Sequence, residues 1–196
     1  MSTAPTRQTA DPAPLGLFAT ALPAWLLGMI NAGWYPPDNI GLLIAVVFAF
    51  GGGAQVIAGC LEFVGGNTLG FTGFTAFGAF WWSLALYLLF FHKGVAPAFA
   101  GWYFLLFGTV SLALWLGALK ESRALQFFFL NITVSFVLAA FGHWFDSEIC
   151  IVLGGYATLM LAVVSIYLAF AAIVNGANDR IVLPVGAAQS PPTGGL

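Results

Sequence analysis

The chain has 196 residues, 61% of them hydrophobic and 6% charged, with a mean hydropathy of +0.98. A soluble domain carries about 25% charged residues, so this chain has too few charges to cover a water-facing surface. The composition excludes a soluble enzyme, a nucleic-acid binder and a disordered chain, and it predicts an integral membrane protein whose solvent is lipid. The net charge of −2 offers nothing to a polyanionic partner.

A transmembrane helix needs about 20 mostly apolar residues. Residues 1–10 are polar, with no apolar stretch of the kind a signal peptide carries. Six candidate spans follow: Pro14 to Trp34, Ile40 to Val64, Thr68 to Phe91, Pro97 to Leu119, Ala124 to Trp144 and Cys150 to Val174. The breaks are Tyr35-Pro36-Pro37-Asp38, Val64-Gly65-Gly66-Asn67, His92-Lys93-Gly94, Lys120-Glu121-Ser122-Arg123 and Asp146-Ser147-Glu148. These connections are short, so neighbouring helices are expected to run antiparallel. The predicted class is an all-α integral membrane protein, a six-transmembrane-helix bundle. Span lengths exclude barrel strands. The stretch from Asn175 onward, rich in Gly, Pro, Ser and Gln, reads as a loose tail.

Orientation follows from the basic residues. With both termini cytoplasmic, Arg7, Lys120, Arg123 and Arg180 lie inside and Lys93 alone lies outside. Cys60 and Cys150 then fall near opposite faces and read as small buried hydrophobes rather than a disulfide.

The spans carry almost no ionisable groups. Glu62 falls near the cytoplasmic end of the second and His143 near the outer end of the fifth. No charge lies at mid-membrane, which disfavours the usual carboxylate-based cation carriers. The His and Cys spacing suggests no metal site, and no cofactor is expected. Gly66, Gly70 and Gly73 recur at the spacing of a close helix-packing face. Thr68, Thr72 and Thr75 form a stripe beside them. These hydroxyls either bond back to their own helix or line a pore. Gln55, Gln126, Asn131, Thr133 and Ser135 extend the same polar set, and the amides of Gln55 and Asn131 need partners away from lipid. Trp34, Tyr35, Trp81, Trp82, Trp102 and Trp144 read as an interfacial belt. The run from Phe50-Gly51 through the third span faintly resembles that from Phe107-Gly108 through the fifth, as in a parallel repeat. An uncharged lining of hydroxyls, amides and rings suits a small amphipathic solute. Acetate, urea and glycerol all fit.

The run Asp11-Pro12-Ala13-Pro14-Leu15-Gly16-Leu17 resembles the N-P-A-P-L-G-L signature of the acetate uptake transporter family, which includes the bacterial succinate–acetate permeases. The runs Gly53-Ala54-Gln55-Val56-Ile57-Ala58-Gly59-Cys60-Leu61-Glu62 and Gly66-Asn67-Thr68-Leu69-Gly70-Phe71-Thr72 are similar to that family too. So are Leu125-Gln126-Phe127, Ile166-Tyr167-Leu168-Ala169 and Leu183-Pro184-Val185-Gly186. The resemblance covers residues 11 to 186 and leaves residues 187–196 as a flexible tail. It implies a homohexameric ring in the cell inner membrane with a solute path through each protomer. It implies passage of acetate, and sometimes succinate, with protons or by anion-channel-like flow. It also implies a hydrophobic constriction at Thr20, Phe77 and Ile132, where relatives similar to the bacterial permeases have Phe, Tyr and Leu. Asp11 replaces the signature Asn and serves equally as a helix cap. The expected polar lining is Gln55, Asn67, Thr68, Thr72, Thr75 and Asn131. The alternative is a channel for small neutral solutes such as urea or short amides. A non-transporting scaffold or sensor leaves the Thr stripe and Gln55 without a purpose. An intramembrane enzyme lacks a visible base and nucleophile pair.

Overall fold

The computed structural model describes residues 10–186, so the polar N-terminal tail, save residue 10, and residues 187–196 lie outside it. Six helices are long and apolar enough to cross a membrane: α1 (Ala13–Asn31), α2 (Pro37–Val64), α3 (Thr68–Phe91), α4 (Pro97–Lys120), α5 (Arg123–Trp144) and α6 (Glu148–Asn178). Side chains placed just ahead of the helices set several of the starts. Asp11 Oδ1 accepts from the Ala13 amide at 2.9 Å, Asn67 from Gly70, Ser122 from Leu125 and Ser147 from Cys150. The α2–α3 turn needs Gly66, whose φ of +76° is a left-handed conformation that side chains resist.

Each helix packs against its neighbours in sequence, and α1 packs along α6, so the bundle closes into a ring. The seams are built from small residues. Between α2 and α3, a methyl at Gly59 would come within 2.6 Å of Thr75 Cγ2, and one at Gly78 within 2.6 Å of Val56 Cγ2. Gly51 and Gly52 sit in a wide π-helical stretch of α2, Val47–Ala54, under the rings of Trp81 and Trp82. Gly108 on α4 lies against Phe136 on α5. Between α1 and α6 the Ser165 hydroxyl donates to the Leu17 carbonyl at 2.8 Å.

Four sequence expectations change. The glycine packing face of the third span is not Gly66, Gly70 and Gly73. Gly66 lies in the turn, Gly70 lies under Glu62, and Gly73 lines a cavity. Trp81 is buried against Gly51 instead of joining an interfacial belt, because the missing side chain makes room for an indole. Cys60 is exposed on the outer face of the bundle rather than buried. Finally, α6 continues to Asn178, and residues 179–186 fold back as an ordered strap. Asn175 holds it: its amide oxygen accepts from the Val182 and Leu183 amides and its NH2 donates to the Leu183 carbonyl. The Val185 carbonyl then accepts from the Ala124 amide at the start of α5. The Tyr167 hydroxyl donates to the Pro184 carbonyl at 2.6 Å, and a loose-tail composition conceals a strap secured by one asparagine, one tyrosine and one backbone bond.

Candidate functional site: an axial path with a buried divider

Two of the cavities among the described residues lie on either side of a buried aromatic layer. The first, about 90 Å³, is at the end that carries both chain termini. Its wall includes Leu17 and Thr20 of α1, Gln55 and Glu62 of α2, Asn67 of the turn, Gly70 and Phe77 of α3, and Phe128 and Phe129 of α5. The second, about 410 Å³, is at the opposite end and is bounded by side chains of all six helices, with Phe80, Ile132, Ser135, Phe136 and His143 among them. The wall residues of the two cavities do not overlap.

What divides them is aromatic and aliphatic. Phe77 borders the terminal cavity, Ile132 and Phe136 the opposite one, and the Phe77 and Phe136 rings stack at 6.1 Å between centroids. Phe80 meets Phe136 edge-on at 4.9 Å. Thr20, Phe77 and Ile132 are all buried, and they fall on α1, α3 and α5 at this level. Phe136 escaped the sequence reading, although it lies one helical turn beyond Ile132 on the same face.

Beside the divider the polar groups form a directed chain. Thr20 donates its one hydroxyl proton to the Gly16 carbonyl at 2.9 Å. Toward Gln55 it can therefore only accept, and it takes the Gln55 Nε2 proton at 2.6 Å. This fixes the amide, and Gln55 Oε1 is left buried without a partner. Further toward the termini, Asn67 Nδ2 donates to Glu62 Oε2 at 2.8 Å, while Asn67 Oδ1 accepts from the Gly70 amide at 3.1 Å. Glu62 Oε1 is likewise buried without a partner. A methyl at Gly70 would come within 2.7 Å of Glu62 Cδ, so the glycine makes the space in which the carboxyl lies. Glu62 is charged in sequence terms but unremarkable by position. Its membership of the site is visible only once α1, α2 and α3 are assembled.

The predicted polar lining divides. Gln55 and Asn67 border the terminal cavity. Thr68 and Thr72 are exposed on the outside of the bundle, and Thr75 bonds the Phe71 carbonyl and packs on Gly59. The stripe borders neither cavity. Asn131 borders neither one, and its half-buried amide has an unpartnered Oδ1. Gln126 donates to the Leu119 and Glu121 carbonyls and so closes the end of α4. The Thr133 hydroxyl lies 2.9 Å from the Ser111 hydroxyl and 3.0 Å from the Phe129 carbonyl and shares its one proton between them. Ser135 does border the opposite-end cavity, with its hydroxyl on the Asn131 carbonyl. His143 borders it too, Nδ1 at 2.8 Å from the Ala139 carbonyl.

Six apolar helices packed around two mostly uncharged cavities describe a multi-pass membrane protein. The chain belongs to the GPR1/FUN34/yaaH family, whose model matches residues 1–188. It is 39% identical over 181 residues to the succinate-acetate/proton symporter SatP of Escherichia coli K12, covering 90% of this chain and 95% of that protein. It is 29% identical over 212 residues to acetate permease A of Emericella nidulans, covering 96% of this chain and 70% of that one. The solved structure of the bacterial acetate channel SatP superposes with a TM-score of 0.87 at 37% identity, covering 91% of this chain and all of that one. These relatives are transporters and channels, not enzymes.

Proposed function

We propose that this protein moves acetate and similar short carboxylates, succinate among them, across the cell inner membrane along the axis of each protomer's bundle. Both termini face the cytoplasm, so the cavity bounded by Gln55 and Glu62 is the cytoplasmic one, and six copies form a ring. Thr20, Phe77 and Ile132 act as the waist that a solute must pass. The observation that carries this reading is the Phe77–Phe136 stack set between two cavities. A path of this form admits a short, slender carboxylate when the rings rotate and holds back bulkier acids. The names of the relatives supply the substrate class. The unpartnered Gln55 Oε1 and Glu62 Oε1 also suit the N–H groups of urea or a short amide, which supports the neutral-solute alternative.

The test is uptake of labelled acetate into proteoliposomes above the rate in protein-free vesicles, with labelled urea run in parallel. Acetate uptake that unlabelled acetate competes away is expected. Free passage of urea with no acetate uptake overturns the reading in favour of the neutral-solute channel.

A further inference from the structure

We infer that Glu62 is the proton-binding group of the acetate path, and that it admits the substrate as a carboxyl–carboxylate pair sharing one proton. This rests on the acetate reading above. The geometry is specific to one side chain. Glu62 is 5% exposed and borders the terminal cavity. Its Oε2 is held by the Asn67 amide, and its Oε1 has no partner. The neighbouring Gln55 amide is pinned by Thr20, so its unpartnered atom is also an acceptor. The rest of the wall is largely apolar, with Leu17, Leu69, Phe74, Phe77 and Phe128 among it.

Among the described residues, no lysine or arginine borders this cavity. Of the elements packed on this part of α2, α3 carries no charged residue, and α1 has only Asp11, just ahead of its first turn and close enough to act on Glu62 through its charge. Arg123, at the start of α5, is exposed with its stem against Gly186, and Asp179 and Arg180 beyond α6 are exposed. No described residue of the wall therefore neutralises an entering anion. Two carboxylates brought together in such a space cannot both stay ionised, and one proton between them resolves the repulsion. That proton bridges Glu62 Oε1 and the substrate oxygen. Whether it arrives on Glu62 or on the acid, the occupied site holds one acetate and one proton more than the empty site with Glu62 ionised. Transfer back leaves Glu62 as carboxylate and releases acetic acid, so each cycle moves one acetate and one proton with no net charge.

The test uses the full-length protein in proteoliposomes. For the unaltered protein, initial acetate uptake above protein-free vesicles rises with an inward proton gradient at zero voltage and does not respond to voltage at equal pH. Glu62→Gln keeps the bond from Asn67 and gives the substrate a neutral N–H donor. The ratio of acetate uptake with the proton gradient to uptake without it falls at least tenfold in this variant, whatever its basal rate. Gradient stimulation in Glu62→Gln within twofold of the unaltered protein overturns the proposal. So does voltage-driven acetate uptake by the unaltered protein, which decides the matter without any variant should Glu62→Gln not fold. A protein that neither takes up nor exchanges acetate fails the acetate reading itself, a result distinct from either of these.

Discussion

The Gln55 amide donates to the Thr20 hydroxyl at 2.6 Å, joining α2 to α1 beside the ring stack that divides the two cavities. In lipid an amide of this kind needs a partner, and here the partner also fixes which way the amide points. The bond gives Thr20 a purpose that its membership of a hydrophobic waist would not suggest.

Thr20→Val keeps the shape and removes the hydroxyl. The Gln55 NH2 then loses its acceptor, a cost of about 1–3 kcal/mol for an unsatisfied buried group. A lower Tm and a changed acetate rate are expected, and Thr20→Ser restores both. A Tm equal to that of the parent protein refutes the importance of this bond.

Phe77→Ala removes one ring of the stack with Phe136. Acetate flux should rise, and bulkier acids such as benzoate should begin to pass. The core loses about 3–5 kcal/mol, as for other buried phenylalanines, so flux is measured in protein shown to be folded. Unchanged rates for acetate and larger acids remove Phe77 from the waist.

Thr72 is exposed and borders neither cavity. Thr72→Val is expected to leave acetate uptake within twofold of the parent, whereas a tenfold loss would return the Thr stripe to the path. Gly59→Val makes the contrast on the opposing helix. Its side chain would meet the backbone nitrogen of Thr75, 2.8 Å from the Cβ position, and a backbone atom cannot step aside. Overpacking of this kind costs about 1–3 kcal/mol or more, so a marked drop in the yield of folded protein is expected.

Asn175→Ala removes the three hydrogen bonds that hold residues 182 and 183. Hydrogen exchange at the Leu183 amide should accelerate at least tenfold, with the core helices unaffected. Unchanged protection there shows that packing, not Asn175, holds the strap.

The six spans were legible in the sequence because each depends on a local property, a run of about 20 apolar residues closed by turn-forming or charged residues. The cap at Asp11 and the turn at Gly66 were local in the same sense. Which face of each helix looks inward was not legible. Lipid is as apolar as a protein core, so a membrane helix need not carry the amphipathic stripe that marks the buried side of a soluble one. Thr68, Thr72 and Thr75 share a face by spacing, yet that face lies on α2 and the bundle surface. Gln55 and Glu62 lie two turns apart on one face of α2, but Thr20 is 35 residues from Gln55 and shares no pattern with either. Only the closing of α1, α2 and α3 around one cavity brings them together and leaves Gln55 Oε1 and Glu62 Oε1 without partners. Composition thus determined a membrane protein and the order of apolar runs and breaks determined its six spans, since hydropathy is a local sum along the chain. The identity of the groups on the path was decided by helix rotation and packing, which depend on residues that meet only in three dimensions.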